Sequence, residues 1–200
     1  STVRDNFSAQ EPSIAYNATD DEYLVVWRGD DDTGNLVDNE FEIYGQRVDA
    51  DGTLLESRIR VSVTGTDGDN SFFVQSPAVK WNSVDNTYAV VWRGEVDTTD
   101  TANEFEIFGQ ILDGDGSLIG NRFRVSSMGE DEITSFSASE PALAYNPDTN
   151  QFLVVWHGTD DTPGENEIYG RILDAETGAG VGEQLRSSDM GSAHKKRFDG

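Results

Sequence analysis

The stretch Tyr23-Leu-Val-Val-Trp-Arg-Gly29 is repeated along this chain of 200 residues. It returns as Tyr88-Ala-Val-Val-Trp-Arg-Gly94 and again as Phe152-Leu-Val-Val-Trp-His-Gly158. The tryptophans of successive copies lie 65 and then 64 residues apart, a period that fits one supersecondary unit. The sequence therefore predicts a single strand-built unit copied three times.

The phase of the aromatic residues sets the repeat boundaries. Phe7 and Phe136 each lie five residues before a proline. Phe198 stands where the corresponding phenylalanine of a further repeat would be. The chain is therefore expected to be a slice of a longer repeat protein or a subunit completed by a neighbour. The predicted repeats are residues 8–72, 73–136 and 137–197, with residues 198–200 as the start of another.

Each repeat contains four short apolar runs rich in β-branched and aromatic residues. Asn, Asp, Gly and Pro separate the runs, and no window has helical periodicity. We therefore expect an all-β fold of three four-stranded antiparallel repeats. In the first repeat the predicted strands are residues 13–16, 22–28, 42–48 and 58–62.

The second run of each repeat is apolar on both faces, as a sheet packed between two other sheets requires. This pattern favours propeller-like blades. Three blades do not close a ring of the usual four to eight, so a partial propeller or a six-bladed ring of two chains is expected. A threefold closed fold of the β-trefoil or β-prism type, or an open β array, is the alternative.

The chain is strongly acidic, with a formal net charge of −24 and no cysteine. Its field would repel nucleic acid and anionic membranes, so both are excluded as partners, and no run is long enough for membrane insertion. The absence of cysteine excludes disulfides and thiolate zinc sites. The scarcity of lysine and the acidity fit an extracellular or cell-surface location.

A composite motif links the copies: Pro, then Ala-Tyr-Asn at 15–17, the Tyr23–Gly29 stretch, and Asn39-Glu-Phe-Glu-Ile-Tyr-Gly-Gln-Arg-Val48. This motif resembles the tandem repeats of large secreted and surface proteins of environmental and marine bacteria. The resemblance covers the whole chain and implies an extracellular, propeller-like module. Resemblance to integrin-type calcium propellers is weaker, because these copies lack a full Asp-x-Asp-x-Asp-Gly loop. Resemblance to sialidase Asp-boxes is only partial, because Leu54 and Leu118 replace the expected aromatic residue.

The connections between the second and third runs are crowded with acids. Carboxylates at this density repel one another unless a cation lies among them, and Ca²⁺ accepts six to eight oxygen ligands from flexible loops. These loops are therefore predicted to bind calcium; a solvated acidic loop is the alternative. The predicted metal ligands are Asp30, Asp31, Asp32, Asp38, Glu40, Glu42, Asp97, Asp100, Glu104, Glu106, Asp160, Asp161, Glu165 and Glu167.

Glu42 and its counterparts open the third strand and suit a closing bidentate ligand. The structural alternative is a cross-strand ion pair with Arg28 or Arg93 of the neighbouring strand, and for the first two repeats this ion pair is the prediction. The repeated tryptophans are expected to pack in the core, with stacking on sugar rings as the functional alternative.

Motifs for catalysis are sparse. Neither His157 nor His194 is repeated or lies near a nucleophile motif, so no Ser–His–Asp arrangement is predicted. A pair of carboxylates would suffice for glycoside hydrolysis, but the sequence nominates no pair.

We therefore predict that the chain is not an enzyme but a calcium-stabilised structural or adhesive module that binds other copies of itself or further repeats. A carbohydrate-binding lectin with glycan partners is the first alternative, and a propeller glycoside hydrolase is the second.

Overall fold

The computed structural model describes residues 7–31, 34–95, 104–128, 136–159 and 165–189. Within these ranges the regular structure is all β, and no helix has the length and apolar character to cross a membrane. The twelve strands are β1 (Ala9–Asn17), β2 (Glu22–Asp30), β3 (Phe41–Asp49), β4 (Leu54–Arg60), β5 (Val74–Asn82), β6 (Thr87–Glu95), β7 (Phe105–Asp113), β8 (Leu118–Arg124), β9 (Ser137–Asn146), β10 (Gln151–Thr159), β11 (Glu167–Asp174) and β12 (Gly180–Arg186).

The strands form three separate four-stranded sheets in chain order, which we call blades 1, 2 and 3. Every neighbouring pair is antiparallel, and the register repeats: Trp27 lies opposite Tyr44, Trp92 opposite Phe108 and Trp156 opposite Tyr169. The predicted all-β fold with propeller-like blades is thus confirmed. Each repeat forms its own four-stranded sheet, with the strands in chain order.

In blade 1 the first and fourth strands each begin four residues earlier than predicted. The first strand begins earlier, at Ala9, because a bulge lets its N-terminal end rejoin β2. The fourth strand begins at Leu54 because a tight turn at Gly52, with a φ of +88°, places Leu54 directly opposite Val48. It ends at Arg60, since Ser62 turns back toward the third strand.

The blades pack face to face in one direction along the chain. The first face of blade 1 carries Ile14, Tyr23, Val25 and Trp27, and its second face carries Leu24, Val26 and Ile43. We use the same two names for the equivalent faces of blades 2 and 3. At each junction the second face of one blade contacts the first face of the next.

Burial at these junctions forms the core. The first face of blade 2 is closed, with Val79, Tyr88 and Trp92 at most 3% exposed. Phe152 and Trp156 of blade 3 are equally buried against blade 2. Each side chain of this size contributes about 1.5–3 kcal/mol by leaving water. Packing between blades therefore supplies most of the apolar burial.

The first strands bring the blades together. β5 packs against β1 and β2 of blade 1, and β9 packs against β5, β6 and β7 of blade 2. β1, β5 and β9 are therefore the inner strands, which converge toward the propeller axis.

Candidate functional site

The acid that opens each third strand lies in a buried cluster made with an arginine and a serine of its own blade. In blade 1 the Glu42 side chain is fully buried and accepts a hydrogen bond of 2.6 Å from Nη2 of Arg60. It also accepts one of 2.9 Å from the Thr64 N–H and one from the Ser62 hydroxyl. Ser62 Oγ in turn accepts the Ile43 N–H at 2.7 Å. We call this arrangement the Glu–Arg–Ser cluster.

Blades 2 and 3 repeat the cluster. In blade 2, Glu106 accepts bonds from Arg124 Nη2 at 2.5 Å, from the Met128 N–H at 2.7 Å and from the Ser126 hydroxyl. In blade 3, Glu167 pairs with Arg186 Nη2 at 3.2 Å and with the Ser188 hydroxyl. The cluster ties the end of the fourth strand to the start of the third, which is a structural role.

The prediction that Glu42 pairs with Arg28 is wrong. In the ladder Arg28 lies opposite Ile43, so Glu42 projects from the other face of the sheet. The Arg28 guanidinium instead lies over the Phe41 ring, 3.9 Å from its centroid. Arg93 lies over Phe105 in the same way at 3.6 Å.

Burial raises the pKa of Glu42 and of Glu106, and the bonds from the arginine, serine and backbone N–H oppose this shift. The native state therefore holds the Glu106 proton more tightly than the unfolded state does. The penalty for burying the charge is absent below the ordinary pKa of 4.5 and grows as pH rises through the folded pKa.

A comparison of wild type with Glu106→Gln isolates this group, because the variant has nothing to titrate at that position. We expect the free energy of unfolding of the wild type to rise relative to the variant as pH falls from 7 toward 4.5, and the difference to level off below that value. Urea unfolding at several pH values measures it. A difference that shrinks on acidification would mean that the hydrogen bonds outweigh burial.

Three of the remaining acids of the first connection, Asp30, Asp31 and Glu40, bind groups of the protein. Asp30 Oδ1 accepts the Asn39 N–H at 3.1 Å, and Asp31 pairs with Arg58. Glu40 is buried and accepts the N–H groups of Val37 at 3.0 Å and Gly68 at 2.9 Å. Asp38 is exposed.

In the other connections Glu104 lies 3.4 Å from Arg124 Nη2, and Glu165 is half-buried. Within the described ranges, no three carboxylate or histidine side chains form a group that could hold a metal ion. Calcium binding stays a prediction. Asp32, Asp97, Asp100, Asp160 and Asp161, like residues 198–200, lie outside the described residues.

A second set of polar residues, which the sequence did not single out, lies on the inner strands. Glu11, Ser76 and Glu140 occupy equivalent positions, each followed by a proline, and each has a positive φ of 52–56°. The ladders β1–β2 and β5–β6 shift register at these residues. Non-glycine residues in this conformation are strained and concentrate at functional sites. In the sequence, the only sign of these bulges was a proline at the same position of each repeat.

The bulge at Glu11 makes a contact between two blades, and the bulge at Glu140 faces a histidine of its own blade. The Glu11 carboxylate of blade 1 accepts the Ser76 N–H of blade 2 at 2.5 Å. Glu140 Oε2 of blade 3 lies 3.6 Å from Nδ1 of His157. On the second strands, Arg28 pairs in register with Gln10, and Arg93 Nη1 donates to Gln75 Oε1 at 3.0 Å. Glu11, Arg28, Arg93, Glu140 and His157 are called the axial cluster below.

Electrostatics link three members of this cluster, Glu11, Arg28 and Arg93. Burial lowers the pKa of the Arg28 and Arg93 guanidinium groups, while the negative charge of Glu11 raises both. Glu11 therefore acts on arginines of two blades at once. Within the described ranges, the buried Nε of Arg28 and that of Arg93 have no hydrogen-bond partner. Two carboxylates and two arginines at the converging ends of inner strands suit the binding of a polyhydroxylated ligand.

No protein-family model matches the sequence. No curated protein sequence matches it either. Solved structures do share its fold. An endo-arabinase from Bacteroides thetaiotaomicron has a TM-score of 0.54 at 13% identity, over 89% of this chain and 61% of its own. A thermostable family-43 glycoside hydrolase has a TM-score of 0.55 at 16% identity, over 91% and 58%.

An α-L-arabinofuranosidase from Lactobacillus brevis has a TM-score of 0.53 at 13% identity, over 89% of this chain and 53% of its own. The chain thus spans 53–61% of the length of these three structures. At such identities the likeness shows the fold, which is that of β-propeller blades.

The prediction that the chain is not an enzyme is contradicted, because these propellers are named as glycoside hydrolases. Sparse histidines argued only against a nucleophile triad, whereas glycoside hydrolysis uses carboxylates.

Proposed function

We propose that the chain forms three blades of a glycoside-hydrolysing propeller, and that the axial cluster binds and cleaves the glycan. The observation that carries the proposal is the repeated strained bulge, which places Glu11 and Glu140 on inner strands of different blades. The fold shared with named glycoside hydrolases supports the choice of chemistry. This proposal replaces the non-catalytic structural module as the main function.

Glycoside hydrolysis needs one carboxylic acid to protonate the leaving oxygen and one carboxylate to act as base or nucleophile. Glu11 accepts the Ser76 N–H, which orients its carboxylate, and we assign it the second role. Glu140 is 78% exposed and lies 3.6 Å from His157, and we assign it the role of the acid. Arg28 and Arg93 supply donors for sugar hydroxyls.

Substrates named for the similar propellers give the first set to test. Two of those structures are named for activity on arabinan or on arabinofuranosides. We therefore propose furanose-containing polysaccharides as the first substrate class, to be compared with nitrophenyl pentosides and hexosides.

The test measures product release by the wild-type chain and by Glu11→Gln and Glu140→Gln. We expect each variant to lower kcat by about 10²–10⁴-fold, the usual contribution of a positioned acid or base. Glu183→Gln is the matched control, because Glu183 is exposed on the outer strand β12. Loss of activity in the control, or equal activity in all four proteins, would refute these roles, provided circular dichroism shows each variant folded.

A lectin is the second candidate, on one specific observation. A cleft of about 310 Å³ on the first face of blade 1 is lined by Trp27, Tyr44, Asp31 and Arg58. The half-buried Trp27 ring, stacked on the buried Tyr44 ring with centroids 6.3 Å apart, offers a surface on which a sugar ring could lie. Glycan binding that Trp27→Ala abolishes and Glu11→Gln leaves unchanged would favour the lectin over the hydrolase.

A further inference from the structure

The two end blades each present an open apolar face. On the first face of blade 1, Ile14 is 58% and Tyr23 is 36% exposed, whereas their counterparts Val79 and Tyr88 in blade 2 are 3% and 0% exposed. Trp27 on the same face is half-buried. This face therefore lacks the covering that a preceding blade gives to blades 2 and 3.

Blade 3 is open on the opposite side. On its second face Leu153 is 41% and Ile168 is 43% exposed. Their counterparts Leu24 and Ile43 in blade 1 are fully buried against blade 2. Both internal junctions join the second face of one blade to the first face of the next. The open second face of blade 3 could therefore pack against a first face, such as the open one on blade 1.

We propose that a second copy of this chain fills both open faces, with blade 3 of each copy docked on blade 1 of the other. The chain itself carries the complement of each open face at its opposite end. A pair joined at both ends leaves no blade face open, and it brings the inner strands β1 and β9 of different copies together at the axis. The pairing extends the interface that already joins the blades.

The turns between first and second strands give a polar argument for the same docking. Across the first junction, Asn86 donates to Asp20 Oδ2 at 2.9 Å, and across the second, Asn150 donates to Asp85 Oδ2 at 2.7 Å. At the two open ends, the residues at the acceptor position and at the donor position both differ from those at the internal junctions. Thr149 stands where blades 1 and 2 have aspartate.

In blade 1, Asp21 stands where the other blades have asparagine. A junction between copies would therefore face the Thr149 hydroxyl with the Asp21 carboxylate. The hydrogen bond is kept, and its donor and acceptor are reversed.

Charge opposes the pairing, since each copy has a formal net charge of −24. Salt screens this repulsion over about 10 Å at 0.1 M. We therefore expect the pair to form more tightly at 0.5 M NaCl than at 0.05 M. An interface held mainly by ion pairs would respond in the opposite way.

Sedimentation velocity of the full chain tests the proposal directly. We expect a dimer, and we expect Ile14→Asp and Leu153→Asp each to raise its dissociation constant at least about 100-fold by burying a charge. Val84→Asp is the matched control, because Val84 is 57% exposed in a turn outside both faces. A wild-type monomer, or a ladder of longer oligomers in place of a dimer, would overturn the closed pair.

Mixing the two variants checks the direction of docking. The Ile14→Asp protein keeps an unaltered open face on blade 3, and the Leu153→Asp protein keeps an unaltered open face on blade 1. When the two proteins are mixed, these faces should dock and form a mixed pair with one intact junction. A symmetric dimer joined through the same face on both copies would be lost in only one of the two variants, which would refute the head-to-tail arrangement.

Disulfide trapping locates the junction, since the chain has no cysteine of its own. Asp21→Cys combined with Thr149→Cys should give a covalent dimer under mild oxidation. Asp85→Cys with Asn150→Cys, across an existing junction, is the control and should link within one chain. If the control pair links and the test pair stays reduced, the proposed junction is excluded.

Discussion

Trp92→Ala should destabilise the chain by about 3–5 kcal/mol, the usual cost of emptying the site of a fully buried tryptophan. Trp92 is 0% exposed and lies between blades 1 and 2, where it packs with Leu24, Val26 and Val90. The cavity would open at a junction that both blades need. Urea unfolding followed by circular dichroism measures the loss.

Trp27→Ala is the matched control, since Trp27 has the same strand position in blade 1 but lies on the open face. In the Leu153→Asp background, where the proposed pair of copies cannot form, we expect a loss of at most about 1–2 kcal/mol. Equal losses for the two substitutions would contradict the described difference between an internal and an open face.

Glu106→Ala should cost about 3–5 kcal/mol, because it breaks a buried ion pair by removing one partner. The Ser126 hydroxyl, the Met128 N–H and the Arg124 guanidinium would all lose the acceptor that they share. Glu106→Gln keeps one amide oxygen for these donors and should cost less. The midpoints of urea unfolding at pH 7 give the order of the three proteins.

Two substitutions serve as controls for Glu106→Ala. Glu167→Ala removes the same cluster from blade 3, where the bond to Arg186 is longer, at 3.2 Å, so its loss should be smaller. Glu183→Ala, on an exposed position, should be nearly neutral. A Glu106→Ala protein as stable as wild type would show that the cluster is not what fastens the fourth strand.

The fold could be predicted because its signal is local and repeated. A continuous run of β-branched and aromatic residues indicated the second strand, and three copies in one phase indicated the number of blades. The partner of Glu42 was missed because it depends on where the chain goes after the fourth strand. The repeat did hold the information, since an arginine follows each such glutamate by 18 or 19 residues and a serine follows two residues later.

The axial cluster was harder to predict. A residue before proline normally avoids the helical region, so left-handed φ values at Glu11, Ser76 and Glu140 contradict the local expectation. Tertiary packing at the converging inner strands decides them. The partial exposure of Trp27 could not be predicted either, because an open face depends on the position of the blade in the array and not on the local sequence.

A crystal structure of the Glu11→Gln, Glu140→Gln double variant soaked with an arabino-oligosaccharide tests the central proposal most directly. We expect a sugar ring between the inner-strand bulges, within hydrogen-bond distance of residue 11, residue 140 and an arginine of the axial cluster. Sugar bound only at Trp27 and Tyr44, or no bound sugar at concentrations that saturate the wild type in solution, would contradict it.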